Sequence, residues 1–461
     1  MRRRQRLRSS ALVAASALIL FGGAACSRGG SGSSGQTSAP AGSPTASSTA
    51  TTAAAGQFGS ATKVCAPGPG TGGSGRGISG KTIRVGVMAD PGSTAAPGLG
   101  QEFFDVADAF AKWCNAAGGI NGRTIVVDKH DAKLFNVAPA VIAACQKDFM
   151  LVGGGNGLDA PGAAPRVACK LGQIPAYVVS PQALNAGYQV TPVVSTPDKY
   201  PVGVLRLLAQ KYPETQQAFG IAGSALASLT PQGLRAQEAW QQMGYKSVAL
   251  QARPALVDNY SSWMQQFKSV NAKADFEITA TNLQPILTAV NDTGFKPSWI
   301  LYGQTIYNPK SVQAAKSVGT FPPSYINLAN LPWEVADQYP VVQQAKDIMS
   351  ATITNPQYDA FTSGGFNAWV LWAQSATACG DNLTQECVLQ KAGAQKAWTA
   401  GGLYPPVNTD PALKDYSDCV VIMQLTTNGW VLAKDVTKPN DGVYNCDPKN
   451  LTKVKSYETG S

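Results

Sequence analysis

Five short segments combine glycine with hydroxyl and amide side chains, a composition suited to orienting a small polar ligand. Free backbone N–H groups and neutral side chains of this kind hold a ligand by hydrogen bonds. The segments are residues 88–100, 153–159, 180–187, 223–230 and 303–308. In the first of them, Ser93 and Thr94 are candidate ligand contacts.

Catalytic groups are scarce in the sequence. His130 is the only histidine and no G-x-S-x-G motif occurs, so a Ser–His triad would depend on this one residue. Because His130 lies just past an expected strand, we predict a surface or lobe-edge position for it. No Cys-x-x-Cys pair occurs either, which argues against a zinc site. The sequence therefore predicts a protein that is not an enzyme and holds no metal.

The run from Gly75 to Thr82 fits the phosphate-loop pattern G-x-x-x-x-G-K-T. A phosphate loop follows a strand and opens a helix, so that amide groups converge on the phosphates. This run instead follows a Gly/Pro-rich linker and leads into a strand. We therefore expect no nucleotide cofactor.

The first 26 residues have the order of a bacterial secretory signal. Five arginines precede an apolar run, residues 11–21, which is too short to span a bilayer. Small residues then lead into Cys26, as in a lipobox, although Gly23 stands where leucine is usual. We expect Cys26 to be lipidated and the chain to be anchored outside the cytoplasmic membrane; a plain signal peptide is the alternative.

The remaining composition agrees with export. Residues from Ser27 to about Gly59 are mostly Ser, Gly, Thr, Ala and Pro, which cannot form a core and predict a flexible tether. The net charge of +9 includes the five signal arginines, which leaves 32 basic against 28 acidic residues. No basic run interleaved with aromatic residues follows, so nucleic acid is not an expected partner.

Eight cysteines besides Cys26 predict four disulfides in an exported protein. Many connectivities are possible, and local spacing sets only an expectation. The favoured pairs are Cys65 with Cys114, Cys145 with Cys169, Cys379 with Cys387, and Cys419 with Cys446.

The elements that position these segments alternate between strands and helices from Lys81 onwards, which predicts parallel sheets covered by helices on both faces. About 390 residues follow the tether, a length that suits two doubly wound α/β lobes joined by a hinge. Predicted strands are 83–88, 124–127, 149–152, 175–179, 218–222, 247–250, 276–279 and 299–302. Predicted helices are 101–117, 137–147, 160–171, 200–211, 231–243, 260–270 and 283–291.

The expected organisation follows from this alternation. It comprises a signal peptide (1–26), a tether (27–76), a first lobe in two parts (77–197 and 331–417), a second lobe (198–330), and a last hinge crossing with the C-terminal segment (418–461). In parallel sheets the working loops lie beyond the carboxyl ends of the strands. The five polar segments occupy those positions, so we expect them to line a cleft between the lobes.

The stretch Asn115-Ala116-Ala117-Gly118-Gly119-Ile120-Asn121-Gly122-Arg123 resembles a segment of type 1 periplasmic binding proteins. Within them, the chain is most similar to the branched-chain amino acid (Leu/Ile/Val) receptors. Strand 83–87 and the stretches 149–154 and 174–181 stand where that family has equivalents, and Cys145 and Cys169 match a family disulfide. The resemblance covers residues 81–435 and implies two lobes that close on a ligand and dock on an ABC permease.

The resemblance also implies ligand contacts. In the first lobe they correspond to Asn156 and Gly157 and to Ser180, Pro181 and Gln182. In the second lobe Thr230 stands where the family has a tyrosine, and Gln304 or Thr305 where it has an acidic residue. Because an ammonium group in a closed cleft needs an anionic partner, we expect a solute without a free amino group, such as an organic acid, an amide or a polyol. Tyr302, Tyr307 and Trp299 are candidates for an aromatic wall, with core packing as the alternative for Trp299.

We expect a solute receptor that feeds an ABC importer. A ligand sensor that signals to a membrane partner is the second interpretation, and an enzyme on a similar frame is the third. Permease and ATPase genes beside this one would favour transport, whereas a receptor or kinase gene would favour sensing.

Overall fold

The computed structural model describes residues 56–73, 75–192, 198–253, 260–455 and 457. The strands are β1 (Ile78–Ser79), β2 (Thr82–Ala89), β3 (Thr124–Asp131), β4 (Met150–Val152), β5 (Gly172–Ile174), β6 (Lys199–Pro201), β7 (Phe219–Ser224), β8 (Ser247–Arg253), β9 (Ala274–Glu277), β10 (Trp299–Tyr302), β11 (Ser324–Leu328), β12 (Cys419–Thr426), β13 (Gly429–Leu432), β14 (Asn445–Cys446) and β15 (Leu451–Lys453). The α-helices are α1 (Gln101–Ala116), α2 (Val137–Lys147), α3 (Ala160–Ala168), α4 (Pro181–Leu184), α5 (Gly203–Lys211), α6 (Thr230–Gln242), α7 (Ser261–Ser269), α8 (Gln284–Thr293), α9 (Pro309–Val318), α10 (Pro340–Ser350), α11 (Ala360–Ala378), α12 (Gln385–Gly393) and α13 (Lys434–Thr437).

The first lobe is built on a sheet of β1 to β5. Its parallel strands run in the order β3-β2-β4-β5, and β1 adds an antiparallel strand to β2. Helix α11 packs on α1 and α12, although it lies far along the chain from the sheet. Its Trp369 is fully buried and contacts Phe110 of α1 at 5.5 Å between ring centroids. The first lobe therefore includes helices that come before strands β7–β11 in the sequence and helices that come after them.

The second lobe contains a mixed sheet. Five parallel strands run in the order β8-β7-β9-β10-β11, and β12 and β13 extend the sheet antiparallel. A separate two-stranded sheet joins β6 and β15. Trp240 of α6 stacks on Phe276 at 5.0 Å, within a cluster of buried aromatic rings. The predicted two-lobed α/β architecture is confirmed.

Two glycines follow α1, which ends within one residue of its predicted end at residue 117. Gly118 and Gly119 have φ values of 104° and 71°, in the left-handed region that glycine adopts without strain. Helix α2 has the predicted bounds, and β2, β4, β7 and β10 lie close to theirs.

One predicted strand is misplaced, and one predicted helix begins later than expected. The strand expected at 175–179 is β5 at Gly172–Ile174, because the backbone N–H groups of Val179 and Ser180 donate to the Asp159 carboxylate instead of a neighbouring strand. The helix expected at 200–211 begins only at Gly203. Residues 199–201 pair with β15, in agreement with the disfavoured helical conformation before Pro201.

The disulfides join Cys65 to Cys114, Cys145 to Cys169, Cys379 to Cys387, and Cys419 to Cys446. These are the pairs that local spacing favours. Cys26 lies outside the described residues.

Part of the segment expected as a tether packs against the first lobe. Phe58 is fully buried and stacks on Phe366 of α11 at 5.5 Å. The Gln344 side chain accepts a hydrogen bond from the Gly59 N–H, and the disulfide at Cys65 ties the segment to α1. Among the described residues, we find no helix with the length and apolar character needed to cross a bilayer.

Candidate functional site

A cleft between the lobes lies at the carboxyl ends of both sheets. In each sheet, the two strands that follow a first strand in the sequence pair with it on opposite sides. Ligands bind at such switch points. The first switch point lies between β2 and β4, and the second between β7 and β9. The cleft encloses about 680 Å³, including the part open to solvent. Both lobes line it, with Asp90, Leu99, Gly100, Phe103, Leu134, Gly155, Gly157, Leu158, Tyr177 and Phe361 on one side and Leu226, Leu229, Gln232, Ile278, Thr279, Thr281 and Thr305 on the other.

The inner wall of the cleft is apolar and aromatic. Phe361, at the start of α11, lies 4.9 Å from Phe103 and 5.2 Å from Tyr177 between ring centroids. Leu226 and Leu229 face them from the second lobe. Gly155 makes room for this wall, because a Cβ there would lie 2.6 Å from the Cβ of Tyr177. Such a surface holds the apolar body of a ligand rather than a fully polar one.

Asp90, which is 1 % exposed, is the one carboxylate among the described residues that lines this inner cleft. Its Oδ1 accepts hydrogen bonds from the Leu134 N–H at 2.8 Å and the Asn156 side-chain amide at 3.1 Å. Its Oδ2 accepts from the Gly157 N–H at 2.8 Å. Burial raises the pKa of Asp90, and these three hydrogen bonds oppose the shift.

Asp159 ties the neighbouring loop in the same way. Its carboxylate accepts hydrogen bonds from the backbone N–H of Val179 at 2.7 Å and of Ser180 at 3.0 Å. Burial raises the pKa of Asp159 to about 6, against the effect of these bonds. Both first-lobe loops therefore direct amide groups at carboxylates of the protein itself.

The mouth of the cleft is polar and encloses about 1070 Å³, including open solvent. Glu102, Lys310 and Asp359 lie there. Burial and the nearby Asp359 carboxylate raise the pKa of Glu102 to about 8. Burial likewise raises the pKa of Asp359 to about 6. The net charge at the mouth of the cleft therefore changes as the pH passes through neutrality.

The predicted first-lobe contacts lie near the cleft, but most of them form hydrogen bonds with other residues of the protein. Ser93 is 2 % exposed and its hydroxyl accepts from the Ala96 N–H, while Thr94 is exposed. Asn156 is buried, and with Gly157 it donates to Asp90. Gly157 also lines the cleft.

The contacts expected after residue 179 lie away from the inner cleft. Ser180 is fully buried and caps α4, with its hydroxyl accepting from the Ala183 N–H at 3.2 Å. Pro181 is buried at the start of this helix, and Gln182 is exposed.

In the second lobe Thr305 lines the cleft, and its hydroxyl donates to the Ala280 carbonyl at 2.5 Å. The Thr230 hydroxyl donates to the carbonyls of Ser224 and Leu226. Gln304 lies instead beside a cavity at the lobe junction, where its amide donates to the Asn327 carbonyl.

The expected aromatic wall belongs to other residues. Tyr302 and Trp299 are buried on β10, which faces the core of the second lobe. The Tyr307 hydroxyl donates to the Glu334 carboxylate and accepts from the Trp333 N–H. Strand residues of a sheet covered on both faces point into the two core layers, and only the loops beyond them reach the cleft.

Sequence reasoning missed Asp90, Tyr177 and Phe361. A signal for Asp90 exists, because it is the first charged residue after a buried strand at a switch point. Tyr177 lay within a predicted strand, and Phe361 comes from a distant part of the chain. Asp90 also brings a carboxylate to the cleft from the first lobe, whereas the expectation about an ammonium group considered only the second-lobe positions.

Among the described residues, one group has a geometry that could hold a metal ion, formed by Asp128, His130 and Asp148. The His130 Nε2 lies 2.5 Å from the Asp148 Oδ2, and the pair is buried. Of the two positions predicted for His130, the surface position is therefore wrong, whereas β3 does lie at the edge of the first-lobe sheet. The Lys147 ammonium already lies 2.5 Å from the Asp128 Oδ2 and supplies positive charge to the group.

Comparison with known proteins agrees with this architecture. A sequence profile described as periplasmic binding protein matches residues 82–429. A fatty acid ABC transporter substrate-binding protein from Thermomonospora curvata superposes with a TM-score of 0.67 at 15% identity, covering 84% of this chain and 97% of that chain. A branched chain amino acid ABC transporter from Thermus thermophilus with bound valine gives a TM-score of 0.66 at 12% identity, covering 81% and 98%. A leucine binding protein from Thermotoga maritima gives 0.60 at 12% identity, covering 76% and 97%. No curated protein sequence matches the chain at a significant level.

Proposed function

Because the chain belongs to the periplasmic binding protein family, we propose that it captures a small amphipathic solute between its lobes and delivers it to an ABC importer. The observation that carries this proposal is the cleft lined by loops from both sheets. A solute there would touch both lobes at once, so its binding energy would favour a closed arrangement of the two.

Export and anchoring form a second part of the proposal. The four disulfides support an oxidising compartment outside the cytoplasm. We propose that Cys26 carries the lipid and that residues 27–55 act as the tether, so that the receptor stays close to its permease. Cys26→Ala should move the protein from the membrane fraction to the soluble extracytoplasmic fraction and should prevent labelling by a fatty acid analogue. Continued labelling of the variant would refute the role of Cys26.

Solute capture can be tested with a variant that fills the cleft. Leu229→Arg places a long charged side chain in the apolar wall, whereas Leu413→Arg makes the same change at a leucine that is 55% exposed. A thermal-shift screen of metabolites should find solutes that stabilise the wild type, by about 2.7 kcal/mol at 100 times the dissociation constant. The Leu413→Arg variant should respond equally, and Leu229→Arg should not.

Delivery is tested by uptake of the solute found in this way. Cells without the gene should lose uptake of the labelled solute, and the wild-type and Leu413→Arg genes should restore it. Normal uptake in the deletion strain, together with loss of a transcriptional response to the solute, would instead favour a sensor. Equal ligand responses from both arginine variants would show that the cleft is not the binding site.

A further inference from the structure

Five amide groups of the first-lobe loops donate hydrogen bonds to carboxylates of the chain itself. Asp90 accepts from Leu134, Asn156 and Gly157. Asp159 accepts from Val179 and Ser180. A carboxylate held by several N–H groups is the arrangement expected for a bound acid. Here the protein supplies both acids itself.

We propose that the cleft selects a solute with an apolar body whose polar end at the first lobe is a hydrogen-bond donor, a hydroxyl or an amine, and that it excludes a carboxylate there. This inference rests on the proposed function, because it names the class of solute that the same cleft binds. Asp90 is the residue that determines the preference.

The acceptor capacity of Asp90 supports a donor group. An ionised carboxylate has about four lone-pair positions. Its Oδ1 uses two of them on Leu134 and Asn156, whereas its Oδ2 has one protein donor, Gly157. One position on Oδ2 therefore remains for a hydroxyl or amine of a solute in the cleft that Asp90 lines.

Charge excludes an acid at the same place. A solute carboxylate at hydrogen-bonding distance from the Gly157 loop would lie beside the Asp90 carboxylate, in a cleft whose inner walls are largely apolar. Repulsion between like charges at such a distance, with little screening, weakens binding by about 100-fold or more. In an α-amino acid, repulsion of the carboxylate opposes the attraction of the neighbouring ammonium group to Asp90, so we expect weaker binding than for the amine alone.

The rest of the cleft specifies the body of the solute. Phe103, Tyr177 and Phe361 form a continuous aromatic surface, and leucines of the second lobe face it. Aromatic and aliphatic bodies gain contact area there, whereas a sugar would leave its hydroxyl groups without partners.

Four probes that share one body test the inference by titration calorimetry on the wild-type protein. They are 2-phenylethanol, phenethylamine, phenylalanine and 3-phenylpropanoate. We expect the alcohol or the amine to bind at least ten-fold more tightly than the two carboxylates, and the two donor probes to show which donor is preferred. Equal or tighter binding of either carboxylate would overturn the inference. Absence of binding by all four, with a metabolite of another class binding in the cleft, would overturn the solute class and leave the proposed function intact.

Variants then assign the selectivity to Asp90. Asp90→Ala frees three donors, so 3-phenylpropanoate should gain at least ten-fold in affinity while the amine loses affinity. Asp90→Asn, which keeps the side-chain volume, should narrow the difference between the alcohol and the acid if the alanine variant does not fold. Asp337→Asn removes an exposed carboxylate outside the cleft lining and should leave the order of affinities unchanged. Unchanged discrimination in both Asp90 variants would refute the role of this residue.

Discussion

The carboxylate of Asp148 occupies the space that a side chain at Gly86 would need. A Cβ at Gly86 would come within 2.4 Å of the Asp148 Oδ2, the atom that also contacts His130. Gly86 lies in the middle of β2, between β3 and β4. The absence of a side chain at this strand position thus allows a buried ion-pairing group to pack against the sheet.

Gly86→Ala should therefore destabilise the first lobe by about 2–4 kcal/mol, because the new methyl group displaces Asp148 from His130. Gly187→Ala is the matched control, since no heavy atom lies within 4 Å of the added Cβ. Denaturant unfolding measures both changes. A Gly86→Ala protein as stable as the wild type would contradict this account of the packing.

His130→Ala should lower the free energy of unfolding by about 3 kcal/mol, because the buried Asp148 carboxylate loses its partner. Binding of the solute should stay unchanged, since His130 does not line the cleft. Lys129→Ala is the control, because the Lys129–Asp108 pair is more than one-third exposed on both sides and contributes little. Loss of solute binding in a folded His130→Ala protein would instead revive a functional role for this histidine.

The raised pKa of Glu102 predicts a pH dependence of stability. Its pKa rises from 4.5 to about 8, owing to burial and to the charges of Asp359 and Asp105. The folded state therefore binds more protons than the unfolded state between these values, and stability falls as pH rises from 4.5 to 8. Glu102→Gln should reduce this decline in melting temperature. The control Asp337→Asn, at an exposed carboxylate outside the mouth of the cleft, should leave the decline unchanged. Identical pH profiles for Glu102→Gln and the wild type would show that Glu102 titrates normally.

Phe361→Ala should weaken binding of the solute by about ten-fold, because it opens the aromatic wall beside Phe103 and Tyr177. The effect should appear in the affinity measured by calorimetry, with a smaller change in stability. Phe135→Ala, at a side chain that is 62% exposed, is the matched control. Equal affinities for the two variants would place the solute away from this wall.

Replacing Cys65 and Cys114 by serine should destabilise the protein by about 4 kcal/mol, because their disulfide closes a loop with a sequence separation of 49. The pair Cys379–Cys387 has a separation of 8, so its loss should cost less, about 2.5 kcal/mol. Denaturation of the two double variants under identical conditions gives the comparison. A larger loss for the shorter loop would show that strain or packing outweighs chain entropy.

Local patterns in the sequence predicted the regular elements well, and α2 matches its predicted bounds because apolar spacing and flanking residues act locally. The strand predicted at 175–179 failed because its amides bind Asp159, a tertiary contact that no local pattern reveals. The same reason applies to the site. The topology predicted where the loops lie. It did not predict that Asn156 and Gly157 donate hydrogen bonds to Asp90, which lies 66 residues from Asn156 in the sequence.

The packing of residues 56–65 on the first lobe has a mechanical consequence. Any pull transmitted along the preceding residues enters the molecule through Phe58 and the Cys65–Cys114 bond, and thus acts on the first lobe alone. The proposed lipid anchor would therefore hold the first lobe near the membrane and leave the second lobe free to move relative to it. A transporter could then distinguish the loaded receptor by the position of the second lobe relative to the first.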